Sequence, residues 1–210
     1  MSVDVKDAVA AVVDFVVSAP VGAAARRRAA TAFSDTLGVM LAGAAEPAAR
    51  IVQATASGDG AGDCRVIGTA FRTSAELAAF ANGVAAHALD YDDMCFVSLA
   101  HPSCALVPAI LAAGELAQSH AETLLDAYVV GFEIECRLGI VMNPRHYHQR
   151  GWHCTSSIGT VGAAAAVARV LGLDTHATRH ALGIAASAAC GLKENMGSMV
   201  KPLHAGHGGA

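Results

Sequence analysis

The sequence predicts an all-α fold, and three observations favour it. Apolar residues make up 54% of the 210 residues, and most apolar segments read as successive helices. Aromatic residues make up only 5%, so alanine and glycine supply the excess, which suits helices packed closely through small side chains. The one short strand candidate is residues 64–68. A chain of this length predicts a single domain over residues 1–210.

Eight helices are predicted in order along the chain. They span residues 3–18, 23–42, 47–57, 73–90, 104–119, 123–141, 155–171 and 174–190. Pro47 stands in the first turn of the third helix, where proline is tolerated. A flexible turn over residues 58–62 follows. Thr73 and Glu76 have the spacing of a capping box at the start of the fourth helix, and Asp174 suits the N-cap of the eighth.

Charge and hydropathy exclude several function classes. The formal charge is −4, and the only basic run, residues 26–28, lies in a predicted helix without interleaved aromatic residues, so nucleic-acid binding is not indicated. Mean hydropathy is +0.44, yet the longest uncharged apolar stretch, residues 154–168, is shorter than the roughly 18–20 residues of a membrane span. Gly159 and Gly162 interrupt it and predict a close contact between two helices instead.

The cysteines and the N-terminus predict a cytoplasmic protein. The first residues lack the basic segment and cleavage site of a secretory signal. The six cysteines are dispersed, without a C-x-x-C pair, which predicts reduced and mostly buried thiols rather than disulfides or a zinc site. They are Cys64, Cys95, Cys104, Cys136, Cys154 and Cys190.

Titratable residues concentrate in three polar segments, residues 87–102, 146–155 and 201–207. The first 86 residues contain no histidine, and all ten histidines follow. Histidine, aspartate and lysine are the residue types that proton-transfer chemistry uses. The residues of interest in these segments are His87, Asp90, Asp92, Asp93, His101, His146, His148, His153, Lys201 and His204.

The first polar segment has two interpretations. His87 and Asp90 are three residues apart on one predicted helix face, and with Asp92 and Asp93 they could form half of a metal site or a hydrogen-bonded helix terminus. Three carboxylates this close repel one another, so at least one is expected to have a raised pKa or a cationic partner.

The other two segments place titratable groups beside helix ends. His101 and His153 each precede a predicted helix start, where a histidine either belongs to the cap or faces a cleft in which helix N–H groups attract a carboxylate. Lys201 and His204 combine a cation with a titratable group within one turn. His146 and His148 are expected to be exposed.

The order of the motifs is more specific than any one of them. In chain order these are Asn82-Gly83, His87, Asp90-Tyr91-Asp92-Asp93, His101-Pro102, Gly131, Glu133, Arg137, Gly139, Gly151-Trp152-His153, Thr155, Lys201-Pro202-Leu203-His204 and Gly206. Over essentially the whole chain, this pattern resembles the MmgE/PrpD family. The resemblance implies a large helical domain joined to an α+β lid domain, a homodimer, and an active site between the domains. It also implies chemistry on small di- and tricarboxylates without a metal or organic cofactor.

The resemblance also implies roles for individual residues. The catalytic set would be Asp90, His101, His153 and Lys201, with Asp93 and His204 beside them as substrate-binding residues. Either histidine could exchange the proton next to a substrate carboxylate. The lysine would hold a carboxylate, and Asp90 would orient a histidine or the substrate.

The resemblance implies that the chain corresponds to the helical part of that family and is truncated before the α+β lid. Met94 stands where decarboxylase members tend to have threonine. We therefore expect a lyase-type dehydratase or hydratase of a 2-methylcitrate-like acid, either as a fragment or as a subunit that a second polypeptide completes. The alternatives are an isomerase or epimerase of a dicarboxylate, an inactive dimerisation module, and a metal-dependent hydrolase using the first polar segment.

Overall fold

The computed structural model describes residues 5–58 and 62–210, and these residues confirm the all-α prediction. The helices α1 to α9 are Val5–Ser18, Ala23–Gly43, Pro47–Gly58, Ala75–His87, Ser103–Ala117, Ala121–Met142, Cys154–Val170, Thr175–Ala188 and Val200–Gly209. Two short strands, β1 (Cys64–Arg65) and β2 (Arg72–Thr73), pair antiparallel with Cys64 opposite Thr73. A π-helical turn (Arg145–Gln149) and a 3-10 turn (Lys193–Asn195) complete the described elements.

All eight predicted helices are present. The predicted N-cap of α8 is confirmed, whereas the predicted N-cap of α4 is wrong. Asp174 caps α8, where its carboxylate accepts a hydrogen bond from Ala177 N at 2.8 Å. The predicted capping box was wrong by one residue, because Ser74 is the N-cap of α4 and accepts from Leu77 N at 3.3 Å. Thr73 cannot take that place because it is buried in the β1–β2 pair. The predicted start at residue 3 and positions 59–61 of the predicted turn lie outside the described residues.

Helix α9 was not predicted. Its sequence contains three glycines, which weaken helix propensity by about 1 kcal/mol each. It packs against α4 so closely that a Cβ on Gly83 would lie 2.8 Å from the Cα of Gly206. This packing buries Pro202 and His204 and supplies the stabilisation that the local sequence lacks.

The core lies around α5, most of whose residues are buried, including Leu106 and Ile110. Beside it, α6 and α7 approach through small residues, since a Cβ on Gly131 would lie 2.9 Å from the carbonyl oxygen of Gly162. This contact confirms the close helix approach predicted for the glycine-alanine stretch of α7. In the described ranges no single helix is long and apolar enough to cross a membrane. Helices α1 and α2 have the required length and apolar character only when taken together, and that pair is bent by 83°.

All six cysteines are free thiols, as predicted. Three are fully buried: Cys64, Cys104 and Cys154. Cys95 and Cys136 are half-buried with their sulfur atoms 3.8 Å apart. Cys190 is exposed.

Glu135 of α6 is a fully buried carboxyl group with no hydrogen-bond partner for either oxygen. Burial raises the pKa of Glu135 well above its usual value of 4.5, and the nearby charges of Asp93 and Cys95 act in the same direction. Above about pH 4.5 the unfolded chain therefore releases a proton that the folded protein keeps on Glu135. The contribution of Glu135 to stability is present at low pH and is lost as the pH rises toward its folded-state pKa.

Replacing Glu135 by glutamine is expected to remove this pH dependence. Between about pH 5 and the folded-state pKa, the stability of Glu135→Gln relative to the wild type should rise by about 1.4 kcal/mol per pH unit. Urea unfolding at several pH values measures the difference. Glu194→Gln is the control, because it makes the same replacement at an exposed position. A flat difference for Glu135→Gln would show that Glu135 ionises normally in the folded protein.

Candidate active site

The loop between α4 and α5 carries the first polar segment. Helix α4 ends at His87 rather than at the predicted residue 90, and Asp90 has a left-handed backbone with φ of 52°. Aspartate tolerates this conformation better than most residues. The loop is closed by backbone hydrogen bonds between Cys95 and Ala100 at 2.9 and 3.4 Å. The loop therefore turns back on itself and brings His101 close to His87, with their ring centroids 4.8 Å apart.

The centre of the cluster is a buried carboxylate between two imidazoles. His87 Nδ1 lies 2.8 and 3.0 Å from the two carboxylate oxygens of Asp92. His101 Nδ1 lies 3.6 Å from Asp92 Oδ1, and His101 Nε2 lies 3.7 Å from Asp90 Oδ1. The ammonium group of Lys201, from α9, contacts Asp90. Three segments, the end of α4, the following loop and α9, thus contribute to one charge network although His87 and Lys201 are 114 residues apart.

A second histidine pair adjoins this network. His153 Nδ1 and His204 Nδ1 are 3.2 Å apart, so the N–H of one ring donates a hydrogen bond to the bare nitrogen of the other. The backbone N–H of His153 donates to Gly191 O at 2.9 Å, and its ring stacks on His87 with centroids 6.0 Å apart. Because Nδ1 of His153 is engaged by His204, Nε2 is the nitrogen left for other partners.

Burial and neighbouring charges determine the protonation of the cluster. Burial, together with the other histidines and Lys201, lowers the pKa of His153 to about 3. Burial also lowers the pKa of His101, although Asp92 and Asp90 oppose this. Burial alone would raise the pKa of Asp90, but its hydrogen bond with Lys201 outweighs that effect and the pKa is lowered. At neutral pH the two imidazoles are therefore neutral and Asp90 is ionised.

Four of the six predicted site residues line one cleft of about 340 Å³. Its lining consists of Asp90, Met94, Leu99, His101, Tyr147, His148, His153, Thr155, Met196, Gly197 and Lys201. A neighbouring depression of about 410 Å³ shares Asp90, Lys201 and Gly197 with it. Leu99 has a left-handed backbone with φ of 51°, a strained conformation of the kind that accumulates at functional sites.

The other two predicted site residues lie behind the cleft lining. Asp93 accepts hydrogen bonds from the backbone N–H of Ser103 at 3.1 Å and from its hydroxyl at 2.8 Å, and it thereby holds the start of α5 against the loop. Burial raises the pKa of Asp93, although its bonds with Ser103 oppose this. His204 reaches the site only through its contact with His153.

His87 and Asp92 were expected to belong to a metal half-site or a hydrogen-bonded helix terminus and were not among the predicted catalytic or substrate-binding residues, yet they form the buried pair at the centre of the cluster. The spacing of an aspartate five residues after a histidine at a helix end was the available signal. The expectation for His148 is confirmed, but the one for His146 was wrong. His146 is buried because its Nε2 is hydrogen-bonded to Ser157 Oγ at 2.7 Å, whereas His148 is exposed.

The same cluster has the donor set of a divalent cation site. One ligand atom each from His87, Asp90, Asp92 and His101 lie within 4.8 Å of one another. Imidazole and carboxylate groups suit several divalent ions. A metal here would compete with the Lys201 ammonium that already contacts Asp90, since both are positive. A divalent ion would therefore have to displace the Lys201 ammonium from Asp90.

Comparison with known proteins places these residues in context. The profile of the MmgE/PrpD N-terminal domain matches residues 9–210. A cis-aconitate decarboxylase of Aspergillus terreus is 34% identical over 163 residues, which cover 75% of this chain and 33% of that protein. The cis-aconitate decarboxylases of Mus musculus and Homo sapiens are 37% and 39% identical over 141 and 134 residues, or 65% and 62% of this chain and 29% and 28% of those proteins. The chain thus spans about a third of the length of these curated relatives.

Proposed function

This chain belongs to the MmgE/PrpD family, and from that premise we propose that it forms the helical side of a lyase active site for a small tricarboxylate. The observation that carries the proposal is the convergence of Lys201, Asp90, His101 and His153 on one cleft of about 340 Å³. A cation, a carboxylate and two neutral imidazoles are the groups that proton transfer next to a substrate carboxylate requires.

The roles follow from charge and geometry. Lys201 is the cation nearest the two imidazoles and would bind a substrate carboxylate, exchanging part of its contact with Asp90 for it. Asp90, with 58% of its side chain exposed, would then remain to orient His101. His101 and His153 are the proton-exchanging groups, and both keep Nε2 free of close hydrogen-bond partners. Negative charge that develops on the substrate during proton removal or loss of carbon dioxide is stabilised by Lys201.

The identity of the relatives favours decarboxylation of a cis-aconitate-like acid as the first reaction to test. In that reaction a carbon–carbon bond breaks, carbon dioxide leaves, and the electron pair left on carbon takes a proton from an imidazolium. Dehydration of a 2-methylcitrate-like acid uses the same groups differently: one imidazole removes the α-proton and a protonated group assists departure of water. Epimerisation of a dicarboxylate would need only proton removal and return.

The experiment that tests the proposal separates these reactions in one assay. The purified 210-residue chain is incubated with cis-aconitate or 2-methylcitrate in deuterated water, alone and with a polypeptide matching the remaining length of the Aspergillus terreus relative. Proton NMR then reports loss of a carboxyl group, loss of water, or deuterium incorporation without net reaction. Turnover or exchange in either mixture supports the proposal. No binding, exchange or turnover in any mixture would contradict it.

Partners and cofactors belong to the same proposal. We expect a homodimer that acts without a metal or organic cofactor. Light scattering after gel filtration measures the oligomeric state, and turnover in the presence of a chelator measures the metal requirement. Stoichiometric metal by elemental analysis, together with loss of turnover on chelation, would favour a metal-dependent hydrolase or lyase instead.

Binding of a tricarboxylate is expected to take up protons from solution. The negative charges of the ligand favour imidazolium and so raise the pKa values of His101 and His153, which burial has lowered. Calorimetric titration near pH 7 in buffers with different ionisation heats should show uptake of up to about one proton per site, with affinity increasing as the pH falls. Buffer-independent heats at measurable affinity would contradict this expectation.

A further inference from the structure

We propose that Asp92 is a positioning residue: its buried carboxylate, anchored by His87, holds the proton of neutral His101 on Nδ1 and leaves Nε2 bare toward the cleft. The role of His101 in proton transfer rests on the proposed function, but the tautomer does not. Two histidine Nδ1 atoms face the Asp92 carboxylate. His87 Nδ1 lies 2.8 Å from Asp92, and His101 Nδ1 lies 3.6 Å from it.

Asp92 is a buried hydrogen-bond acceptor. Its side chain is fully buried. Burial alone would raise its pKa, but the hydrogen bond from His87 and the nearby histidines outweigh that effect and lower it. An ionised carboxylate only accepts hydrogen bonds. A ring nitrogen that faces it across a buried gap is therefore favoured in the N–H form.

The His101 ring has a buried nitrogen that faces Asp92. Its Nδ1 is buried and has no hydrogen-bond partner. Its backbone N–H donates to Thr155 Oγ1 at 3.1 Å, which holds the backbone of His101 in place beside Asp92. Closing the 3.6 Å gap to Asp92 by a few tenths of an ångström gives a hydrogen bond if Nδ1 carries the proton. If Nδ1 were bare, its lone pair would face an anion in a buried environment.

Two carboxylates, Asp90 and Asp92, compete to determine which nitrogen of His101 carries the proton. Asp90 lies 3.7 Å from Nε2 and by itself would favour the proton on that atom. However, Asp90 is neutralised by Lys201 and has 58% of its side chain in solvent, so its influence is screened. Asp92 is buried, and its partner in the folded structure is an imidazole rather than a permanent cation. Asp92 therefore determines the tautomer.

The titratable and charged groups that face His101 come from four elements. They are His87 of α4, Asp90 and Asp92 of the loop, His153 at the start of α7 and Lys201 of α9. Of these, Asp92 alone faces Nδ1 at ion-pair distance among the described residues. A bare Nε2 is ready to accept a substrate proton, and the imidazolium that results is stabilised by Asp92 through Nδ1.

The test reads the tautomer directly by NMR. The 210-residue chain is labelled with ¹⁵N-histidine, and long-range ¹H–¹⁵N spectra are recorded at a pH above the titration of His101. The signals of His101 are identified as those that are missing from the spectrum of His101→Gln. The expected result is a protonated Nδ1 and an unprotonated Nε2 in the wild type. A protonated Nε2 in the wild type would overturn the proposal.

Variants separate positioning from packing. Asp92→Asn should shift the His101 tautomer ratio toward Nε2–H by about tenfold, equivalent to about 1.4 kcal/mol, and should lower its pKa further. Asp93→Asn is the matched control because that carboxylate binds Ser103, and the tautomer should not change. An unchanged tautomer in folded Asp92→Asn would overturn the role of Asp92.

A further variant covers failure of Asp92→Asn to fold. Asp90→Asn removes the competing carboxylate from an exposed position, and the wild-type tautomer should persist. A switch to Nε2–H in Asp90→Asn would overturn the proposal. None of these measurements requires turnover, so they separate failure of this inference from failure of the proposed lyase function.

Discussion

Replacing His101 by glutamine is expected to lower kcat for tricarboxylate turnover by about 10²–10⁴-fold, the range for loss of a general acid or base. Glutamine retains a polar group of similar reach but cannot exchange a proton near neutral pH. The ring of His101 lines the cleft, and its two nitrogens lie 3.7 Å from Asp90 and 3.6 Å from Asp92. Steady-state kinetics in the assembled enzyme measure the effect, and deuterium exchange into the substrate should fall in parallel.

His120→Gln is the matched control for this variant. His120 is the exposed N-cap residue of α6 and makes no side-chain capping hydrogen bond, so turnover should stay within twofold of the wild type. If His101→Gln retained full exchange, proton transfer would belong to His153 instead. His153→Gln, measured in the same assay, then identifies which histidine removes the proton and which returns it.

Lys201→Met is expected to lower kcat/KM by about 10²–10³-fold, since it removes the cation that stabilises developing negative charge in the cleft. Methionine keeps an unbranched side chain of similar length, so the packing of α9 against α4 should change little. The substitution also leaves Asp90 without its ion pair, and the pKa of Asp90 should rise because the favourable charge is lost. Binding of the substrate, measured by calorimetry, should weaken along with turnover.

The control for Lys201→Met uses another lysine outside the cleft. Lys6 lies on α1, and it is exposed, whereas the cleft is lined from α7, α9 and the loops. Lys6→Met should leave kcat/KM unchanged. Wild-type affinity and turnover in Lys201→Met would remove the lysine from the proposed mechanism and would leave the backbone N–H groups at the starts of α5 and α7 as the remaining anion-binding groups.

The sequence by itself determined the helical class, the extent of most helices and the residues whose order marks the family. These are local properties: apolar spacing, caps such as Asp174 and short motifs depend on residues within a few turns of one another. The small residues at Gly162 likewise predicted the close α6–α7 contact, because absence of a side chain is visible in sequence.

Only the tertiary structure decided which polar residues act together. Asp92 and Asp93 are neighbours in sequence, yet one lies between two imidazoles and the other holds Ser103. Helix α9 forms because α4 packs against its glycines, and that packing carries Lys201 to Asp90, 111 residues away in the chain. Contacts at this separation depend on how helices pack, and the free energy of that packing is shared by many residues that no local pattern reveals.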